Sequence, residues 1–281
     1  MARDFNGANQ KLEIPTHSTL NSSAFTVGGF IKVRSFGNGT VMARIIGSTS
    51  VLSLIVNSSG GVTFSWDYTI TDLDINTPVG IIKQNEWMSL FIAGDGGSAH
   101  AEYDIYVNGI LQPHDTSQSN DGDGSPQPLS GTVARIGLGF FDINDFNGRM
   151  AHFQMFNRKL RGVEILSMSR IPGSVPRGLV SYVPMIGGSP EPDYSGFGNA
   201  AAVTGAEYVA EDNPPILGMF YPRFSRMMRY AVPASVNPEV EWELHDSYPI
   251  FMNMKFASAA APAVAAPTGR RRRRTLVGVG R

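Results

Sequence analysis

The 281-residue chain has no cysteine, which excludes a disulfide scaffold and any thiolate metal site. Charged residues are few, at 17%, against 42% hydrophobic, so a sizeable core can form and a wholly disordered chain is excluded. No apolar run approaches the roughly 20 residues of a membrane-spanning helix, so no membrane partner is expected. The first residues, Met1-Ala-Arg-Asp-Phe-Asn-Gly7, lack the basic-then-apolar pattern of a secretory signal. The expectation is a soluble chain made in a cytoplasm, with Asn21, Asn38 and Asn57 in turns rather than glycosylated. There is no Gly-x-Ser-x-Gly elbow and no Gly-x-x-x-x-Gly-Lys phosphate loop. The five histidines are dispersed, with no pair at metal-ligand spacing.

What is present is glycine and proline, 31 and 18 residues, much of it between short apolar runs. That favours strands joined by tight turns. Leu12 and Ile14 alternate with Lys11 and Glu13, and Phe25, Val27 and Gly29 with Thr26, Gly28 and Phe30. Further strands are predicted over Thr40–Ile46, Val51–Val56, Val62–Tyr68 and Val133–Phe140, with Asn108-Gly109 as a hairpin turn. Residues 113–131 read as a polar loop. From Asn147-Gly148 a strand runs to Phe156, with Ala151, Phe153 and Met155 assigned to one face and Met150, His152, Gln154 and Phe156 to the other. A short helical turn follows, through Glu164.

Charge is divided along the chain. Residues 1–212 carry 13 Lys and Arg against 20 Asp and Glu, whereas residues 213–281 carry 10 against 4. The result is an acidic body with a basic end. Three regions follow: a domain over residues 1–212, a Met- and aromatic-rich extension over 213–256, and an Ala/Pro linker with an arginine-rich tail over 257–281.

The run Phe146-Asn-Gly-Arg-Met-Ala-His-Phe-Gln-Met-Phe-Asn-Arg-Lys-Leu160, continuing to Glu164-Ile165, resembles the closing strand of the concanavalin A-like superfamily, in its laminin-G-like and pentraxin-like branch. Arg3–Pro15 with Ala24–Val33 resembles that family's opening, with Phe30 where the family usually has Trp. Glu86-Trp87 and Tyr103–Leu111 resemble two inner strands. Gly178–Met185, Asp193-Tyr-Ser-Gly and Val203-Thr-Gly-Ala206 resemble an element that ordinarily begins such a domain, so residues 178–212 are expected to pair back into the same sandwich as a permuted edge. The resemblance implies an all-β, concanavalin A-like jelly-roll β-sandwich followed by an irregular C-terminal arm. It also places Trp87 in the core.

The family includes glucanases, whose paired carboxylates follow Glu-x-Asp-x-x-Glu. Here Glu102 and Asp104 are present, but Val107 stands where the second glutamate would be, so no glycosidase activity is expected. Family calcium chemistry singles out Asp142, Asn144 and Asp145, just before the closing strand, as candidate Ca2+ ligands, with Asp121 and Asp123 as a second loop of suitable chemistry. Trp66, Tyr68 and Tyr103 are aromatics near sugar-binding chemistry, but are not assigned as a site. Arg270, Arg271, Arg272, Arg273 and Arg274 form a partner-binding run that attracts acidic surface or phosphate without reading nucleic-acid sequence. The expected function is a non-enzymatic virion structural or accessory protein of head-decoration, collar or tail-fibre type. It would be anchored to other virion proteins or to copies of itself through residues 213–281, with host-surface glycans as a further partner. The alternative is a lectin or carbohydrate-active enzyme.

Overall fold

The computed structural model describes residues 1–46, 49–139 and 145–217. The arm expected beyond them, with Arg270–Arg274, lies outside the described residues, as do Asp142 and Asn144. Within them the chain forms β1 (Ala2–Asn6), β2 (Lys11–Ile14), β3 (Phe25–Val33), β4 (Gly39–Ile46), β5 (Thr49–Val56), β6 (Val62–Trp66), β7 (Leu73–Asn76), β8 (Trp87–Gly94), β9 (Tyr103–Val107), β10 (Ile110–Leu111), β11 (Val133–Ile136), β12 (Asn147–Phe156), α1 (Gly162–Met168), β13 (Leu179–Val183), β14 (Ala202–Thr204) and β15 (Glu207–Val209). The first sheet is ordered β10-β9-β8-β3-β12-β1-β15, with β13 also on β12. The second is ordered β14-β2-β11-β4-β5-β6-β7. All these strand pairs are antiparallel. The all-β sandwich expected from the sequence is what the chain forms.

Alternation builds the core. Leu12 and Ile14 of β2, Phe25, Val27, Ile31 and Val33 of β3, Phe64 and Trp66 of β6, and Leu90 and Ile92 of β8 meet between the sheets. At one end Phe25, Phe64, Trp66 and Tyr103 stack edge-on or tilted at centroid distances of 5.5–6.5 Å. Trp66, Tyr68 and Tyr103 are therefore core residues, exposed by no more than 6%. Trp87, expected in the core, is on the other face. Met88, Leu90 and Ile92 take the inward positions of β8, which turns Trp87 outward against Phe30, Ala2 and Ala151, with its indole N–H donating to Asp212 at 2.7 Å.

β12 departs from simple alternation. Ala151 pairs with Phe30 and Gln154 with Gly28, so His152 and Phe153 share the single position opposite Gly29. His152 sits at φ 52°, and the side-chain faces swap there. Met150, Phe153 and Met155 all reach the core, whereas Ala151 and Phe156 lie on the outer face. The assignment of Ala151 with Phe153 and Met155 is thus corrected by one extra residue. The partner strand makes room for it. A Cβ on Gly29 would stand 3.0 Å from the Phe153 Cα and from the Ala151 carbonyl oxygen, and a Cβ on Gly28 only 2.0 Å from the Leu90 oxygen.

The bulge also divides one edge of β12 between two partners. Asn147–Met150 pair with β1, and Phe153–Phe156 pair with β13. β14 and β15 then close one edge of each sheet, on β2 and β1. The segment after the closing strand thus pairs back into the sandwich. A buried ion pair ties it down. Arg3, on β1, donates through Nε to Glu191 at 2.7 Å and through Nη1 to the Ala206 oxygen, while Glu191 accepts from the backbone of Ile186 and Gly187.

The outer face of the first sheet is apolar and covered. Phe91, Tyr106, Phe156, Leu179 and Tyr182 pack against Leu160, Ile165 and Met168 in and beside α1. Arg158 forks onto Glu164 at 2.7 and 3.1 Å, and Glu164 accepts from the Arg161 N–H. Ile216 packs on Phe30 and Ala151, and Asp212 takes Lys32, Arg149 and Trp87.

Two outcomes test this packing. Phe153→Ala should cost about 3–5 kcal/mol in urea unfolding, and Gly29→Ala about 1–3 kcal/mol, because its added Cβ meets backbone that cannot swing away. His152 supplies a pH test. It is buried against Phe30 and within 3.1 Å of the Tyr182 hydroxyl. Burial first, and then the Met1 amino charge, push its pKa down to about 3. A depressed folded value contributes stability above the unfolded value near 6.5, and that contribution is lost as pH falls toward about 3. Relative to His152→Asn, which tolerates the left-handed backbone, the wild type should lose about 2 kcal/mol between pH 7 and pH 4.

Candidate functional site

The second sheet turns a different surface outward. Register puts Glu13, Arg135, Ala43, Ser53, Ser65 and Asp74 in one row across β2, β11, β4, β5, β6 and β7. Thr63 and Asn76 form part of the next row. Polar positions alternate with inward Val62, Phe64 and Trp66 on β6 and with Leu73 and Ile75 on β7, so the pattern that builds the core also builds this face. Cross-strand bonds fix the side chains. The Ser65 hydroxyl donates to Asp74 at 2.5 Å, and the Thr63 hydroxyl donates to the Asn76 side-chain oxygen at 2.7 Å. The Asn76 amide reaches back to the Gln118 carbonyl at 2.6 Å. At the other end Glu13 accepts from Arg135 at 2.9 Å.

Asp67 stands where β6 ends. Burial first, then Asp72, then Asp74, push its pKa up to about 6. Its neighbours are committed: Asp72 accepts from the Tyr68 N–H at 2.9 Å and Asp74 accepts from Ser65. Hydroxyls of Ser53, Thr63 and Ser65, an amide and two carboxylates therefore lie half-exposed together. Such a set donates and accepts at once, as reading a polyhydroxylated ligand demands.

The sequence-predicted sites come out differently. Glu102 lies in the 3-10 turn His100–Glu102 ahead of β9, and accepts from the Ala99 N–H. Asp104 is ion-paired with Lys159 at 3.2 Å. Asp121 caps the His100 backbone and contacts its ring at 2.6 Å, and Asp123 accepts from the Gly124 N–H. Asp145 accepts from the Asn9 N–H at 2.6 Å through one oxygen, while its other oxygen is buried without a hydrogen-bond partner. Among the described residues no three His, Asp or Glu side chains gather to hold a metal, and Asp142 and Asn144, the other two candidate ligands, lie outside the described residues.

Two associations escaped sequence spacing. His100 and His114 come together with ring centroids 5.9 Å apart, and burial, followed by the His100 charge, lowers the His114 pKa. Asp193, in the Asp-Tyr-Ser-Gly turn, accepts from the backbone of Tyr182, Ser195 and Asn199 and from the Ser195 hydroxyl, which marks that serine as structural.

Two antiparallel sheets packed face to face, one outer face covered by α1 and the other carrying the polar rows of β6 and β7, define a jelly-roll sandwich. The chain belongs to the concanavalin A-like lectin/glucanases superfamily, matching its Laminin_G_3 model over residues 6–166. Among solved structures it is similar to a "putative carbohydrate binding protein" from Bacteroides ovatus, at 19% identity and a TM-score of 0.56. That match covers 76% of this chain and 60% of the other, so the chain spans about three-fifths of that protein. It is also similar to the heptameric SAP-like pentraxin from Limulus polyphemus, at 19% identity and a TM-score of 0.48, covering 63% of this chain and 85% of that one. No curated protein matches.

Asp67 gives a direct check on the electrostatics of the face. A raised folded value contributes stability below pH 3.8 that is lost as pH rises through about 6. Asp67→Asn should therefore melt above wild type at pH 7, by about 1 kcal/mol after allowance for solvent screening, with the advantage gone by about pH 4.

Proposed function

We propose that the chain is a non-catalytic glycan-binding module that reads sugar hydroxyls on the outer face of the second sheet. The observation that carries this reading is the pair of cross-strand bonds, Thr63 to Asn76 and Ser65 to Asp74, which hold hydroxyl, amide and carboxylate groups in register beside Asp67. Preset polar groups lose little freedom when a ligand replaces their water. No aromatic side chain stands in these rows among the described residues, so recognition rests on hydrogen bonds and specificity on their donor–acceptor pattern. The family and the Bacteroides ovatus relative support the sugar class. The structural contacts of Glu102 and Asp104 support a module without turnover.

A second reading follows from Asp67. A carboxyl group titrating near 6 beside Asp74 has the character of a general acid next to a carboxylate, the arrangement glycoside hydrolysis uses. Release of reducing ends that disappears in Asp67→Asn would establish that reading over the first. The virion role remains a further proposal. It rests on the acidic body and basic end of the sequence and on Arg270–Arg274, and the comparisons lend it no support.

The test is electrophoresis of the full chain through gels cast with soluble neutral and acidic polysaccharides. At least one should retard the wild type, and Asp74→Ala and Ser65→Ala should run unretarded with unchanged far-ultraviolet spectra. If no polysaccharide retards the wild type, or if both variants are retarded equally to it, the proposal fails.

A further inference from the structure

Arg44 lies on β4 with its side chain turned inward, between Ala134 on one neighbouring strand and Leu52 on the other. It is 2% exposed. A guanidinium carries five N–H donors, and here three have protein acceptors. Nε donates to the Thr132 hydroxyl at 2.8 Å, Nη1 to the Leu20 carbonyl at 2.7 Å and Nη2 to the Leu129 carbonyl at 3.1 Å. All three acceptors are neutral, and among the described residues no carboxylate pairs with it. Thr132 is itself fixed by donating to the Leu129 oxygen at 2.7 Å, so the guanidinium is held rigidly.

Two N–H groups are left over, and Arg44 lines a cavity of about 20 Å³ between the sheets. Leu20, Phe25, Val27, Met42, Leu52, and Leu129 form much of its wall. Thr19, Ser22 and Asn157 also line it, and of these Asn157 is exposed, which gives a route to solvent. The volume admits one water molecule or one small ion. A buried charge without a counter-charge costs several kcal/mol, and arginine does not shed its proton to escape that cost: burial lowers its pKa only to about 10.

We propose that this cavity is a binding site for one small monovalent anion of chloride size, held by the spare guanidinium N–H groups of Arg44. The charge-assisted bonds supply attraction, and the apolar wall favours weakly hydrated ions, so bromide and nitrate should bind at least as well as chloride, and fluoride poorly. The site is separate from the polar face of the second sheet, because Arg44 points to the opposite side of that sheet from Ala43 and Ser53.

The experiment is thermal unfolding of the full chain at constant ionic strength, with sodium fluoride replaced stepwise by chloride, bromide or nitrate. The melting temperature should rise by about 3 °C and saturate, as a bound ligand requires. General salt effects of bromide and nitrate run the other way, so the sign is diagnostic. Arg44→Met, of similar reach but uncharged, should show no rise. Should Arg44→Met fail to fold, bromide soaked into wild-type crystals decides, by an anomalous peak within hydrogen-bond distance of the Arg44 side chain. A flat wild-type response, an equal rise in Arg44→Met, or no anomalous peak in the cavity would each overturn the site and leave an ordered water there instead.

Discussion

The sandwich depends on a mismatch between two strands at its centre. β12 carries one residue more than β3 across the same span, and the excess is absorbed where His152 and Phe153 face Gly29. Only a strand without a Cβ at that point lets the bulged backbone approach, and Gly28 beside it has no more room against Leu90. The bulge does more than bend a strand. By swapping faces it sends Met150, Phe153 and Met155 into one core, which strict alternation would not do. It also ends the β1 pairing and opens the β13 pairing on the same edge. Glycine pair, left-handed histidine and shared edge are one device.

From that device follows the unequal character of the two outer faces. The first sheet gains Phe156, Tyr182 and Leu179 on its outside, an apolar surface that cannot be left to water. α1 and the segment through Leu217 cover it, and Asp212 fixes the last stretch with three partners. The second sheet has no such obligation. Strands β6 and β7 alternate core residues with Thr, Ser, Asp and Asn, and the hydroxyl bonds to Asn76 and Asp74 keep those groups oriented. A surface relieved of structural cover is the one available for binding, and the polar rows of β6 and β7 lie on it.

Much of the fold was legible because it is written in period-two alternation and in turns such as Asn108-Gly109, at φ 53° and 75°. The closing motif was legible for the same reason, and the structure supplies its physics: Arg158 clasps Glu164, while Leu160 and Ile165 seal the sheet. Trp87 was misplaced because a resemblance assigns a position to the core without saying which face of the strand it takes. Ala151 was misplaced because a bulge is invisible to alternation, although Gly28-Gly29 in the middle of an apolar strand was the available signal. The polar face was not legible at all. Ser53, Ser65 and Asp74 lie in three different strands, and only register brings them into line. Arg44 reads in sequence as the polar member of an alternating strand, and its inward turn follows from the shifts in pairing on either side of it.

Residues 178–209 join the sandwich only after β12, and the geometry shows why that order is no obstacle. β13 needs the free half of the β12 edge beyond the bulge, and β15 needs the outer edge of β1; neither demand refers to chain direction through the rest of the fold. What a late arrival does need is an anchor, since its strands are only three to five residues long. Arg3 and Glu191 provide it at the start and near the end of the described chain. Their charges are buried, and such a pair is worth little as a replacement for apolar contact, but removing one partner strands the other in low dielectric. The pair therefore penalises any arrangement in which residues 186–209 leave the sheet. It makes β1, β13 and β15 cooperate although β1 ends at Asn6 and β13 begins only at Leu179.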